Sequence, residues 1–183
     1  LAALKAVDEE ARPAIVRIYR GKDGTPDRFA LWSSNRFRDR EGEIVSAKAL
    51  HRAIARFDAG SVDAQPDVYH VPGSEWGRVE LMDYVDGFLM AAGTVTRPDV
   101  AAKIEAWGAK EELGTSIGYR YWDSDLVDGV YSDLEINRIT VLPRNRAANP
   151  WGPQDAVRLG RREMGFDPAK REAMIELFGA DQT

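Results

Sequence analysis

Acid–base chemistry in this chain is limited to two histidines and whatever nucleophile they can reach. His51 falls in the middle of a helical pattern beside Arg52 and off the apolar stripe, where a solvated side chain is the ordinary reading. His70 stands in VYHVPG, at the end of a short apolar run and just before a Pro-Gly turn. A ring there can point into a cleft or simply pack at the core edge, since histidine is intermediate in burial. Ser116 lies in GTSIGY, with Gly114 and Gly118 two residues to either side. Such glycines clear space for a substrate backbone, or mark a close crossing of small residues. Strand alternation turns Ser116 away from Leu113 and Ile117, toward a groove. Serine is inert at its free pKa and needs a base within reach, and His70 is the well-placed one. A carboxylate would orient the imidazole and stabilise its charged form. Glu135 is preferred, inside the apolar run Leu134-Glu135-Ile136, ahead of Asp133, Asp83 and Asp86. A strand carboxylate serves equally well facing solvent or pairing with an arginine.

Other chemistries find little support. The chain has no cysteine, which excludes disulfides, thiolate zinc sites and cysteine nucleophiles. HExxH, acidic calcium loops and phosphate-cradling glycine motifs do not occur, so neither metal nor cofactor is expected. The net charge is −5 and no run of Lys and Arg could track a phosphate backbone, so nucleic acid is not an expected partner. No apolar run approaches the ~20 residues that span a bilayer, and no membrane partner is expected.

These residues must be positioned by a single core, for which 183 residues with 44% hydrophobic and 30% charged side chains suffice. Residues 1–12 read as a short helix or arm. PAIVRIYR and RFALWSSNRFRD read as strands about the turn GKDGTP. Ser46 opens a helix that Gly60 closes, and Pro98 opens a second over 98–108. Asp86-Gly87 turns a hairpin between strands within 76–95. GTSIGYRYW and VYSDLEINRITVLP read as two strands joined at Asp128-Gly129. Helical patterns follow at 155–165 and 168–178. The order predicts an α+β domain over 1–150, with a mostly antiparallel, bent or barrel-like sheet and a few peripheral helices. Residues 151–183 read as its helical extension.

Four stretches, taken in order, resemble the prohead maturation proteases of tailed phages, which share a fold with herpesvirus capsid assembly proteases. SNRFRDREGEIV at 34–45 is similar to the family's D-x-x-G-E-I segment before a helix. His70 precedes a glycine and the hairpin WGRVELMDYVDGFLMAAGTV. GTSIGYRY is similar to the family's S-x-G-Y/F strand, and LEINRITVLPRNRAANP to its E-x-S-x-x-x-x-P-x-x-x-A-N strand and exit. The likeness spans roughly residues 28–150. Asn137-Arg138 departs from it, standing where many relatives have a serine.

The resemblance implies a serine endopeptidase with a herpesvirus-protease-like fold, Ser116 as nucleophile and His70 as general base. It leaves Glu135 provisional, because the third member varies across this fold. Arg144, Arg146 and Gly118 are expected to shape the oxyanion hole and substrate loop. The implied partners are the major capsid protein and scaffold as substrates, and the protease itself, inside the procapsid in the host cytoplasm. A catalytically silent assembly domain that keeps the fold is the alternative.

Overall fold

A computed structural model describes residues 15–152, with Ala169, Lys170 and Ala173 beyond them. The arm at 1–12 and the helical pattern at 155–165 lie outside the described residues. Of the pattern at 168–178, only those three helical residues are described.

The chain begins with a hairpin of β1 (Val16–Arg20) and β2 (Pro26–Asn35), turned at the GKDGT segment. β3 (Ile44–Val45) leads into α1 (Ala47–Asp58) and the short β4 (Gln65–Val68). β5 (Gly77–Val85) and β6 (Phe88–Val95) form a second hairpin, followed by α2 (Pro98–Gly108) and β7 (Leu113–Arg120). β8 (Leu126–Val127), β9 (Val130–Tyr131) and β10 (Glu135–Pro143) close the described fold.

Three sheets result, ordered β1-β2-β6-β5, β4-β10-β7 and β3-β9-β8. Five of the strand pairs are antiparallel, while β10 with β4 and β3 with β9 are parallel. The class is therefore α+β with mostly antiparallel sheets. Among the described residues no sheet closes into a barrel. Phe29 and Trp76, both fully buried, meet at 4.8 Å between ring centroids and anchor the core between the first sheet and the β4 segment.

Local chemistry accounts for most boundaries. Ser46 caps α1, its hydroxyl accepting the Ala49 N–H at 3.1 Å. Ala49, Leu50, Ala53 and Ile54 are the helix face that the core buries. Asp86-Gly87 and Asp128-Gly129 both take left-handed backbone, φ 52° and 89° in one pair and 50° and 75° in the other. Two such residues in succession match the right-handed twist of the strands they join.

One expected strand is in fact two. VYSDLEINRITVLP breaks at residues 132–134, so β9 joins the β3 sheet and β10 the β4–β7 sheet. The break is held by Asp133, which turns out of line to accept Arg56 Nη1 at 2.6 Å and Arg52 Nη1 at 3.0 Å. Leu134 is fully buried beside it, and its carbonyl accepts a further bond from Arg56.

Asp133→Asn should lower stability by about 1.5–3 kcal/mol at neutral pH, the usual worth of hydrogen bonds to a charged group. The Arg56 guanidinium holds the Asp133 carboxyl below its ordinary value of 3.8. A depressed pKa contributes stability above the unfolded value, and that stability is lost as pH falls through the folded one. Urea unfolding should therefore show a clear gap between parent and variant at about pH 7 and a narrower one at about pH 2.5. An equal gap at both would mean that the charge on Asp133 is not what holds the break.

Candidate functional site

β10 carries the site because it is paired on both sides. Thr140 lies opposite Ser116 of β7 and opposite Asp67 of β4. Residues paired across neighbouring strands share a face, so Asp67, Thr140 and Ser116 form one row. Arg138 lies opposite Gly118 and Gln65, which puts the next row on the same face. Asp67 and Thr140 have no exposed surface, whereas Ser116 is half-buried at the row's outer end.

His70 follows β4 by two residues and is bent back over this row. Tyr69 and His70 both have φ of 55°, left-handed backbone that costs a non-glycine residue about 1–2 kcal/mol each. Several bonds offset that strain. The His70 N–H donates to Thr140 Oγ1 at 2.8 Å and to Asp67 Oδ1 at 3.2 Å. Tyr69 N–H donates to the Val141 carbonyl, and the Tyr69 ring stacks on Trp107 of α2 at 5.7 Å. Asp67 Oδ2 accepts Arg138 Nη1 at 3.2 Å, so the buried carboxylate has a charge partner. Strained backbone held by buried polar groups is a feature that clusters at functional sites.

The two glycines beside Ser116 have separate tasks. A Cβ on Gly118 would lie 3.5 Å from His70 Nδ1, 3.3 Å from Asn137 Oδ1 and 3.0 Å from Arg138 Cβ. Gly118 is therefore the floor on which the imidazole rests. A Cβ on Gly114 would lie 3.0 Å from Arg144 Cα and 3.1 Å from Ala147 Cβ. The loop after β10 packs there. Gly114, Ser116 and Gly118 face the same way, so the serine is flanked by the loop on one side and the histidine on the other. Of the two readings of these glycines, room for substrate or a close crossing of small residues, the structure gives the room to the protein's own parts.

Ser116 and His70 thus share a face, though no hydrogen bond joins them in this structure. Resting geometry of a nucleophile and its base is commonly loose. Glu135 is not brought to them. It is exposed at the start of β10, opposite Arg120, about 13 Å along β7 from Ser116 at the strand rise. Its apolar neighbours Leu134 and Ile136 are buried in the core, while strand alternation turns Glu135 to solvent. Asp133 is committed to Arg52 and Arg56, and Asp86 to a hairpin turn. Asp83 is buried in β5, within the other sheet.

The residues that hold the His70 backbone, Asp67 and Thr140, carry no sequence signal, and Asn137 borders Gly118 beside the ring. Asn137 sits at a register shift in β10, between the pairs Ile136–Tyr119 and Arg138–Gly118, and such bulges re-aim a side chain. Its carbonyl oxygen and His70 Nδ1 both border Gly118. In the loop, the Arg144 N–H donates to the Glu112 carbonyl and the Arg146 N–H to that of Pro143. Arg144 also clamps Glu112 Oε1 and the Pro150 carbonyl, so it positions the loop, while Arg146 is exposed. The Asn145 and Ala147 amides bond to no described residue. Gly118 belongs to the strand and not to this loop.

A groove runs along the outer edge of β7, lined by Ser33, Ser34 and Asn35 of β2, by Asp39, Glu41 and Glu43, and by Ser116, Ile117, Tyr119 and Tyr131. It holds about 690 Å³ of empty space, part of it open to solvent. Burial pushes the Tyr131 hydroxyl well above the usual tyrosine range, and its bonds with Tyr119 and Glu43 add to the effect. Tyr131 donates to Glu43 Oε2 at 2.9 Å.

Gly118→Ala should bring a methyl into van der Waals contact with the imidazole and crowd Arg138 and Asn137, while leaving the sheet paired. The chain has only two histidines, so the ring resonances report this directly. The His70 signals should shift and those of His51, whose ring lies against Tyr84 on α1's side, should not. Unmoved His70 signals would mean that the ring does not rest on Gly118. Compared with protein families, with characterised proteins and with solved structures, the chain matches none, and the chemistry of these residues is what speaks for its function.

Proposed function

We propose that the chain is a serine endopeptidase that trims capsid and scaffold proteins, and itself, during assembly of a tailed-phage prohead. The observation that carries the reading is the placement of His70. A strained turn, held by buried Asp67 and Thr140, aims its ring at the face of β7 that bears Ser116. The order of the four family-like stretches supplies the substrate class and the setting, inside the procapsid in the host cytoplasm. The herpesvirus-protease-like, barrel-like arrangement belongs to the same proposal, supported by three mostly antiparallel sheets that contribute to one core.

In this reading His70 takes the Ser116 proton as the hydroxyl oxygen attacks the scissile carbonyl. The imidazolium then returns that proton to the leaving amine, and water repeats the cycle on the acyl-enzyme. The negative oxygen needs backbone donors. Asn145 and Ala147 offer them from the loop seated on Gly114, with Arg144 and Arg146 holding the loop's shape through their own spent amides. Asn137 Oδ1 is nearer the ring than Glu135 and is the better candidate to orient it, as an asparagine does in some cysteine proteases. The second reading, a catalytically silent assembly domain, is favoured by one observation, the missing bond between Ser116 and His70.

Ser116→Ala should abolish reaction with a fluorophosphonate probe and all trimming of a co-expressed capsid protein, with the fold unchanged. His70→Ala should be nearly as damaging, since members of a catalytic unit fail together. Glu135→Gln should cost little, and Asn137→Ala about ten- to a hundredfold in kcat/KM, the scale of a misplaced base. Intact mass after labelling and mass spectrometry of the capsid protein's N-terminus check all four. Undiminished trimming by Ser116→Ala would leave a fold without this chemistry.

A further inference from the structure

The groove on β7 has a chemical bias that its backbone role does not require. Asp39, Glu41 and Glu43 each place a carboxylate oxygen within 4.8 Å of the others. None of the three pairs with a cation among the described residues. Arg38 and Arg40, the nearest in sequence, are spent on carbonyls, Arg38 on that of Gly42 and Arg40 on those of Arg144 and Ala147. Local bonds satisfy the carboxylates only in part. Asp39 Oδ1 accepts the Glu41 and Glu43 N–H groups, Glu43 accepts the Tyr131 hydroxyl, and the exposed Glu41 side chain has no described partner.

A second observation in the same groove points to a ligand. Ser34 is 8% exposed and Asn35 2%, and both line it. The Ser34 hydroxyl bonds to no described residue, and Asn35 uses only its oxygen, on the Phe37 N–H. A hydroxyl and an amide NH₂, nearly buried yet unengaged at a groove wall, are ready donors for a backbone carbonyl laid against them. Opposite them, β7 pairs only with β10 among the described strands, so its other edge has no strand partner there.

We infer that the groove binds an extended peptide as an added strand on β7 and selects a lysine or arginine side chain for the acidic trio. The inference rests on the protease reading, which it supplies with a substrate preference. An extended chain projects alternate residues to opposite faces. Along β7 one set meets the Ser116 and His70 face. The other meets the side on which Ile117 and Tyr119 project, where the three carboxylates wait and the tyrosine rings offer further attraction to a cation. Main-chain bonds of this kind give affinity, and the pockets for alternate side chains give specificity.

The test uses the full chain and a pool of acetylated octapeptides varied at every position, with cleavage read by mass spectrometry, beside fluorophosphonate labelling of Ser116. Glu41 is exposed and bonded to no described side chain, so Glu41→Lys keeps the fold, which circular dichroism checks. The parent should favour peptides with Lys or Arg at one fixed position from the cut. Glu41→Lys should lower kcat/KM for those peptides about tenfold at low salt and spare neutral ones. Labelling with no preference for a basic residue, with a preference indifferent to Glu41→Lys, or with no peptide cleaved, overturns the inference and leaves the protease reading standing. Absence of both labelling and cleavage overturns the protease reading, and this inference falls with it.

Discussion

The candidate site depends on a carboxylate buried without exposed surface, Asp67, and on the two donors that make its burial tolerable. An ionised carboxylate taken out of water is costly unless it is paired and hydrogen-bonded. Arg138 supplies the charge from β10, and the His70 N–H supplies a hydrogen bond from the turn. Both come into range only if β4 lies parallel to β10 in the observed register, since one residue of slip would turn Asp67 to the other face. The pairing that satisfies Asp67 is thus the pairing that folds His70 over β7. Stability and site geometry are the same event.

That coupling explains why the fold was easier to read than the site. The turns at Asp86-Gly87 and Asp128-Gly129, the Ser46 cap and the Pro98 helix start are written in neighbouring residues, although the second turn joins β8 to β9 and not β7 to the long strand expected after it. His70 and Ser116 were legible as residue types with glycine beside them. Asp67 was not, because QPDV reads as a polar loop until it meets Thr140, more than seventy positions later. Glu135 misled for the opposite reason. Its apolar neighbours are local, but its exposure is decided by where β10 begins. The bulge that re-aims Asn137 has no local signature, being a mismatch between two strands' registers.

The strain at Tyr69 and His70 has a similar logic. Left-handed backbone at two bulky residues persists only where the surroundings over-determine it. Here the bonds to Thr140, Asp67 and Val141, and the Tyr69–Trp107 stack, close in from three elements. A relaxed turn would carry the imidazole along the strand direction and away from Gly118. The strain therefore buys ring placement, and the ring is the group the proposed reaction needs most.

The edge of β7 that pairs with no described strand is the remaining feature that a purely structural account leaves without purpose. Unpaired edges invite association, and proteins blunt them with charge, bulges or a covering segment. This edge is bordered by Asp39, Glu41 and Glu43, which repel the same edge of a second copy while leaving it accessible to a cationic chain. Covering it outright would close off the strand that carries Ser116. Leaving it bare and neutral would expose a template for self-pairing. Carboxylates along an open strand reconcile the two demands, and in the proposed reading the substrate is the missing neighbour that completes the sheet.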